Sequence, residues 1–368
     1  MVAAGGTGGH IFPAKAVAQC AKMQGWQVLC AGTRGQLERD YLAKDFSFIG
    51  FGVRGLRGQG WLSKLVRVIG MGGAWLKALF CIMRFKPNVM LCMGGYVTVP
   101  LALAAWCWRV PVVLHEQNSV AGLSNLYLSR IASCVLEAFP NSFPHAIKTT
   151  VVGNPVRQAF LNEVEPCKRL SGREGPFRVL IVGGSQGALA LNQLSLDLLA
   201  SWDNDATLMI RHQTGRVHYD AMLQQYQRLN KPANMWRVLP FIEDMAQAYA
   251  WADVIICRSG ALTVAEICMV GLPAIFIPYP LAVDDHQRKN AAHLVAAGAA
   301  WMHHQSSLNL STIKKQLVYL MNNLDQQIVM AQAACALSSP RSTLEIVSHC
   351  EQVALAAKKG GWCKFKAK

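Results

Sequence analysis

Apolar residues in this chain fall into short runs broken by glycine or proline. Between the runs, apolar positions recur every three or four residues. The runs at 27–31, 89–92, 111–114, 179–182, 254–257 and 274–277 predict strands buried on both faces. Strands alternating this regularly with helical stretches predict an α/β protein with parallel sheets. The pattern also restarts midway. Val2-Ala3-Ala4 runs into Gly5-Gly6-Thr7-Gly8-Gly9-His10, and Val179-Leu180-Ile181-Val182 runs into Gly183-Gly184-Ser185-Gln186-Gly187-Ala188. Each reads as a strand, a glycine-rich turn and a helix, so two Rossmann-like doubly wound domains are expected, at 1–160 and 161–340. The polar stretch 163–176 reads as the linker between them. Ser339-Pro340 predicts an N-cap followed by proline at the first helical position. Ile346, Cys350, Val353 and Ala357 then give a final helix, 341–357, one apolar stripe for packing across a domain surface. The residues from 358 to 368 read as a basic tail.

The segment 87–108 runs for 22 residues without a charge between Lys86 and Arg109, which is long enough to span a bilayer. Gly94-Gly95 and Pro100 divide it, so it reads as a buried strand, a turn and a helix.

Composition narrows the function. The chain has 368 residues, 52% of them hydrophobic, which excludes an intrinsically disordered protein. Its formal net charge of +15 points to an anionic partner: nucleic acid, an anionic lipid surface or a phosphorylated substrate. The 12 cysteines form no C-x-x-C pair and no zinc spacing, and most lie in apolar runs. They read as buried, reduced thiols of a cytoplasmic protein. The N-terminus lacks the basic, apolar and cleavage pattern of a signal peptide.

The glycines of 5–10 let backbone amides approach an anion, and the next helix presents its positive end. This is a diphosphate cradle in principle. Ile11 stands where G-x-G-x-x-G needs its last glycine, and Ala31-Gly32-Thr33 supplies no acidic residue at the end of the second strand, which argues against a nicotinamide or flavin cofactor. At a helix start His10 is expected to be neutral, able to take a proton from a sugar hydroxyl. A structural histidine that hydrogen-bonds the loop fits equally well. In Arg258-Ser259-Gly260-Ala261-Leu262-Thr263-Val264-Ala265-Glu266, a helix start offers amides and Glu266 can accept ribose hydroxyls, although an ordinary amphipathic helix would also place a glutamate there. The Asp284-Asp285-His286-Gln287 cluster suits a polyhydroxylated ligand better than a metal, since its spacing is not diagnostic of one. The segment 61–85 mixes Leu65, Ile69, Trp75 and Leu76 with cationic residues, preceded by Arg54 and Arg57, and reads as an interfacial membrane contact. A buried amphipathic helix is its competing reading.

These motifs together resemble the MurG family of N-acetylglucosaminyltransferases. The resemblance is carried in order by Gly5 to His10, Gly94-Gly95-Tyr96, His115-Glu116-Gln117-Asn118, Gly153-Asn154-Pro155-Val156-Arg157, Gly183 to Gly187, Arg258 to Glu266, and Asp284 to Gln287 with Asn290-Ala291. It covers the chain to about residue 300. It implies a GT-B fold, two Rossmann-like domains facing an interdomain cleft, with the last helix returning to the N-terminal domain. It implies transfer of N-acetylglucosamine, with inversion, from UDP-N-acetylglucosamine to the 4-hydroxyl of undecaprenyl-linked lipid I, giving lipid II for peptidoglycan. His10 is the implied base. Ser185, the Ile242 backbone, the stretch from Ala261 through Leu262, Thr263, Val264 and Ala265 to Glu266, and Gln287 are the implied donor contacts. Asn118 and Arg157 join them. Thr7, Gly8 and Gly9 line the cleft, meeting the donor and cradling the acceptor diphosphate. Gly94, Gly95, Tyr96 and Glu116 fall to the acceptor, and Leu65, Ile69, Trp75, Leu76 and Trp106 to the membrane. No cofactor or metal is implied as obligatory. The implied partners are UDP-N-acetylglucosamine, lipid I, the anionic inner-membrane surface at its cytoplasmic face, and proteins of cell division and elongation, but not nucleic acid.

One departure stands out. Only Met1 to Ala4 precede the first glycine pair, whereas strands usually take five or six residues. Either the first strand is short or the chain begins upstream. The rival readings are a glycosyltransferase acting on diacylglycerol, a membrane-bound division scaffold without catalysis, and a sugar-nucleotide epimerase.

Overall fold

The computed structural model describes residues 1–53, 61–162, 165–184, 186–203 and 207–360, without the side chains of 61–69 and 162. It divides into two units, Met1–Arg157 with Ser339–Lys368, and Gln158–Ser338.

The first unit runs β1 (Val2–Ala3), α1 (Gly8–Met23), β2 (Leu29–Thr33), α2 (Gln36–Glu38), β3 (Ser47–Phe51), α3 (Trp61–Phe85), β4 (Met90–Cys92), α4 (Thr98–Cys107), β5 (Val112–Glu116), α5 (Leu123–Leu128), β6 (Cys134–Glu137) and β7 (Thr150–Val151). Its sheet is parallel, ordered β3-β2-β1-β4-β5-β6-β7. Alternate residues feed two separate cores. Met1, Ala3, Met90 and Cys92 pack on one face, and Val2, Ala4, Leu91 and Met93 on the other. Burial on both faces explains the unbroken apolar runs. β1 is only two residues long, yet it is the central strand, paired with β2 and β4.

The second unit runs α6 (Pro166–Ser171), β8 (Phe177–Val182), α7 (Leu189–Ala200), β9 (Leu208–Gln213), α8 (Tyr219–Arg228), β10 (Trp236–Leu239), α9 (Met245–Trp251), β11 (Val254–Cys257), α10 (Ala261–Val270), β12 (Ala274–Phe276), α11 (His286–Ala296), β13 (Ala300–Met302), α12 (Leu310–Met321) and α13 (Leu324–Ala336). Its parallel order is β10-β9-β8-β11-β12-β13. The last helix, α14 (Ser342–Lys358), belongs to the first unit, where Ile346, Val347, Cys350 and Val353 join the core against α1. Burying such side chains contributes roughly 1.5–3 kcal/mol each.

Several expectations need correcting. Residues 165–176 are no linker. Arg169 donates to Ala252 O at 2.9 Å and Gly271 O at 2.6 Å, and Arg173 to Trp251 O at 2.6 Å, which fastens α6 to the second unit. Guanidinium groups seek backbone carbonyls at helix and strand ends, so a charged stretch can be well packed. The N-cap of α14 is Arg341 rather than Ser339, and Ser339 instead accepts the Ser342 amide on its carbonyl at 3.1 Å. The uncharged segment 87–108 does resolve into β4, a glycine turn and α4. No helix among the described residues is long and apolar enough to cross a membrane. The basic tail beyond residue 360 lies outside the described residues, as do Arg54 and Arg57.

Candidate active site

In a doubly wound sheet, ligands bind beyond the carboxyl ends of the strands where strand order reverses. The first unit reverses between β1 and β4, and the second between β8 and β11. The glycine turns predicted from sequence follow these four strands.

In the first unit, Thr7 is the exposed N-cap of α1, and Gly8, Gly9 and His10 form its first turn. His10 Nδ1 lies 3.2 Å from Gly5 O and 3.4 Å from Thr7 Oγ1. A carbonyl oxygen only accepts, so Nδ1 carries a proton. This is the loop contact that the structural reading of His10 expects. The turn after β4 meets this ring. A Cβ on Gly94 would lie 2.8 Å from His10 Cδ2 and 2.9 Å from Nε2, and one on Gly95 would lie 2.2 Å from Gly5 O. Both glycines also have positive φ, 98° and 90°. The absence of side chains there lets the two turns pack directly against each other. Tyr96, next in the chain, packs partly into the core.

Sequence reasoning missed Glu38. Its buried carboxylate accepts from Gly6 N at 3.1 Å and from the Thr33 hydroxyl. An acidic residue therefore does stand near the end of β2, but it shapes the first glycine turn. A glutamate five residues past the strand gives no sequence signal for that contact.

Glu116, expected at the acceptor, points inward. It is 2% exposed and accepts from Asn118 N at 3.0 Å, Gly122 N at 3.0 Å and Asn125 Nδ2 at 2.9 Å. Every oxygen is engaged within the protein, so Glu116 organises the loop that carries Asn118. Its neighbour His115 is fully buried, and its Nε2 donates to Gly153 O at 2.9 Å. Burial pushes its pKa down to about 4, against the opposing effect of that hydrogen bond. Asn154 Nδ2 donates to Gln117 O at 2.9 Å, and Ser342 of α14 donates to Asn154 O at 2.7 Å. These bonds tie three distant motifs into one framework. Arg157 lies with its guanidinium 5.7 Å from the Phe12 ring on α1.

In the second unit, Ser185 lies outside the described residues, but the turn around it is defined. Gly187 has φ 78°, and a Cβ there would lie 2.1 Å from Thr214 O. Gln213 ties this turn to the next strand, donating to Gly184 O at 3.0 Å and accepting from Ile242 N at 2.9 Å. Of the Ile242 backbone expected among the donor contacts, the amide is held by Gln213, which leaves the carbonyl as the group it can present. A side chain that caps a loop amide has no pattern in sequence.

The turn after β11 leads into α10 with Gly260 as N-cap. Ala261, Leu262 and Thr263 open the helix, and the first intrahelical bond comes from Val264 N to Gly260 O at 3.0 Å. The orphan amides and the helix dipole favour an anion there. Ala265 is partly exposed, and Glu266 is buried with Tyr249 Oη 3.5 Å from Oε2. Arg258 donates to Ile277 O at 2.8 Å and Gln305 Oε1 at 2.6 Å, so it braces the loop after β12. Ser259 Oγ donates to Gln287 O at 2.8 Å, and Gln287 Oε1 accepts from Tyr279 N at 2.9 Å. Gln287 is left with its amide nitrogen to offer a ligand. Just before it, Asp284 and Asp285 both adopt positive φ, 54° and 55°, a strained pair at about 1 kcal/mol or more each.

Among the residues expected at a membrane, Leu76 (62% exposed) and Trp106 (43%) face outward, with Phe80 and Met83 continuing the stripe on α3. Trp75 instead packs on the core of the first unit, because its position on α3 lies toward α4 and the sheet. The side chains of Leu65 and Ile69 lie outside the described residues.

Residues 1–137 match the glycosyltransferase family 28 N-terminal domain, and 178–345 its C-terminal domain. The UDP-N-acetylglucosamine–N-acetylmuramyl-(pentapeptide) pyrophosphoryl-undecaprenol N-acetylglucosamine transferase of Salmonella choleraesuis is 45% identical, covering 96% of this chain and 97% of that protein. Its Klebsiella pneumoniae counterpart is also 45% identical, covering 97% and 98%. The crystal structure of Acinetobacter baumannii MurG superposes with a TM-score of 0.81 at 39% identity, covering 96% of this chain and 98% of that one. By sequence and by GT-B fold, the chain belongs to glycosyltransferase family 28 and, within it, to the MurG family of N-acetylglucosamine transferases.

Proposed function

We propose that this enzyme transfers N-acetylglucosamine from UDP-N-acetylglucosamine to the C4 hydroxyl of the N-acetylmuramyl group of a pyrophosphoryl-undecaprenol acceptor, with inversion. Support for the chemistry comes from His10. Its Nδ1 donates to Gly5 O, so Nε2, next to the Gly94 turn, is the nitrogen that serves as base. Nε2 takes the C4 hydroxyl proton as that oxygen bonds to the anomeric carbon. The bond from the anomeric carbon to the UDP oxygen breaks on the opposite face, and UDP leaves with the electron pair. The helix-start amides of α10 offset the charge on the departing diphosphate. Glu266 accepts the ribose hydroxyls and Gln287 donates to the sugar. Asn118 and Arg157 add donor contacts, and Thr7, Gly8 and Gly9 cradle the acceptor diphosphate. A divalent metal is not required in this scheme.

The deciding assay offers radiolabelled UDP-N-acetylglucosamine with lipid I or with diacylglycerol. Label appears only in the lipid I product, UDP is released only when lipid I is present, and EDTA leaves turnover within about 3-fold. Label in diacylglycerol, or UDP release without acceptor, defeats the assignment.

The enzyme works as a peripheral protein on the cytoplasmic face of the inner membrane, alongside proteins of cell division and elongation. The exposed Leu76, Phe80, Met83 and Trp106 insert at the interface, and Arg84, Lys86 and Arg109 meet anionic headgroups. Phe80→Asp should lower binding to anionic vesicles about 10-fold or more with little change in stability. Unchanged sedimentation with vesicles would remove α3 from the contact.

A further inference from the structure

The second unit carries a cluster of like charges that the proposed reaction leaves unused. Val179, Ile181, Ile210 and Val238 point into its core. Strand alternation therefore sends Arg178, Arg211 and Arg237 to the opposite face of the sheet. Arg211 on β9 and Arg237 on β10 are register partners, with backbones about 5 Å apart. Arg178 pairs with Met209, two residues before Arg211, and so lies diagonal to it. Like charges set directly across two strands destabilise a sheet. Burial lowers the Arg211 pKa, and Arg237 and then Arg178 lower it further. Among the described residues no carboxylate pairs with Arg211 or Arg237 to offset this.

Other half-buried guanidinium groups of the unit end on protein oxygens. Arg169 donates to Ala252 O, Arg173 to Trp251 O and Arg258 to Ile277 O. Arg211 does not. It is half-buried, and its Nε is sealed from solvent with no acceptor. Its two Nη groups, which no protein atom accepts, stay open to solvent. The guanidinium lies over the Trp251 ring of α9, 4.2 Å from the centroid. Stacking fixes the guanidinium plane and leaves its N–H edge free for an oxyanion. Arg237 is exposed, and β10 is the last strand of the sheet, so the pair faces solvent along that edge.

We propose that Arg211 and Arg237, with Trp251 as a backing platform, form a phosphate-binding site on this sheet face, separate from the glycine turn of the same unit. Two adjacent guanidinium forks need more oxygens than one carboxylate has. A terminal phosphate offers three oxygens and close to two negative charges, and Arg178 adds a third positive charge nearby. The phosphate comes from a soluble diphosphate or from a lipid headgroup that ends in a phosphate. The cost of holding like charges together is recovered when the anion binds. The site also accounts for part of the positive charge that pointed to an anionic partner.

The test uses wild type, Arg211→Gln and Arg237→Gln. Inorganic pyrophosphate is titrated calorimetrically into each, with excess UDP present to fill the glycine turns. Each variant should weaken pyrophosphate binding about 10-fold or more. Equal binding in all three overturns the proposal. Urea unfolding supplies a readout that a purely structural role would move the other way. Without phosphate, Arg237→Gln removes a like charge and should match or exceed the wild-type midpoint. Pyrophosphate should then raise the wild-type midpoint and leave that of Arg237→Gln nearly unchanged. An Arg237→Gln protein that is less stable than wild type without phosphate and gains equally from pyrophosphate overturns the site. Arg237 is exposed, so this variant keeps the test open even if Arg211→Gln fails to fold. Sedimentation with phosphatidylcholine vesicles containing phosphatidic acid distinguishes the sources. A loss of about 10-fold or more in both variants assigns the site to headgroups, and unchanged sedimentation with weakened pyrophosphate binding assigns it to a soluble diphosphate.

Discussion

At the switch point of the first unit, the glycine turn after β1 ends in the imidazole of His10. At that of the second, the matching turn after β8 ends in the methyl group of Ala188. The opposing turns differ as well. After β4 there are two glycines without side chains, pressed against His10 and Gly5. After β11 there are Arg258 and Ser259, both bonded into neighbouring loops, and a helix start. On the proposed function, one topology serves a proton acceptor in one unit and an anion cradle in the other. What distinguishes them is a handful of side chains and the places where the backbone lacks a Cβ.

The sharpest challenge to this contrast is His10→Ala. It should lower kcat by about 10²- to 10⁴-fold, leaving KM for UDP-N-acetylglucosamine within about 3-fold and circular dichroism unchanged. A loss under 10-fold would make His10 structural only.

Both units also share a feature, a buried neutral histidine used as a strut. His115 spans Gly153 and Gln117, while His212 lies 3.1 Å from Asn192 Oδ1 and 3.0 Å from Tyr226 Oη. Burial lowers their pKa to about 4 and about 3. Below an unfolded pKa of about 6.5 the unfolded chain takes up protons that the folded chain refuses, so stability falls with acid. It should be full above about pH 7 and decline toward pH 4, by up to about 1.4 kcal/mol per pH unit for each histidine. Urea midpoints that stay flat from pH 7 to 4.5 would contradict this.

Gly94→Ala and Gly260→Ala compare equivalent turns. Gly94 has positive φ and no room beside His10, so alanine should cost about 1–3 kcal/mol. At Gly260 a Cβ meets only Thr263 Oγ1 at 3.7 Å, with φ −62°, and the cost should stay below about 1 kcal/mol. Equal losses in urea unfolding would show that the two turns are not differently packed. The smallest effect belongs to Glu266→Gln, which should raise KM for UDP-N-acetylglucosamine about 10-fold with kcat within 3-fold. A kcat effect without a KM effect would remove Glu266 from the ribose.

Much of this molecule is legible in its sequence. Strands buried on both faces announce themselves as apolar runs, and glycine turns announce the loops at the strand ends. That was enough for the α/β class, the repeated architecture and the position of His10. The polar framework was not legible. Glu116 has a site motif around it yet turns inward, and Glu38 has no motif yet holds Gly6. Trp75 reads as a membrane anchor by composition, but helix phase packs it partly against the core of the first unit.

The sequence alone determined which residue types stand at each strand end, because backbone periodicity and glycine conformation are local properties. Only the tertiary structure decided which nitrogen of His10 keeps its proton, which way the Gln117 amide faces, and that Gln213 holds the Ile242 amide. Those outcomes depend on hydrogen-bond partners far away in the chain. A polar side chain's direction is set by the donors and acceptors that folding brings within about 3 Å, and no pattern of neighbouring residues encodes them.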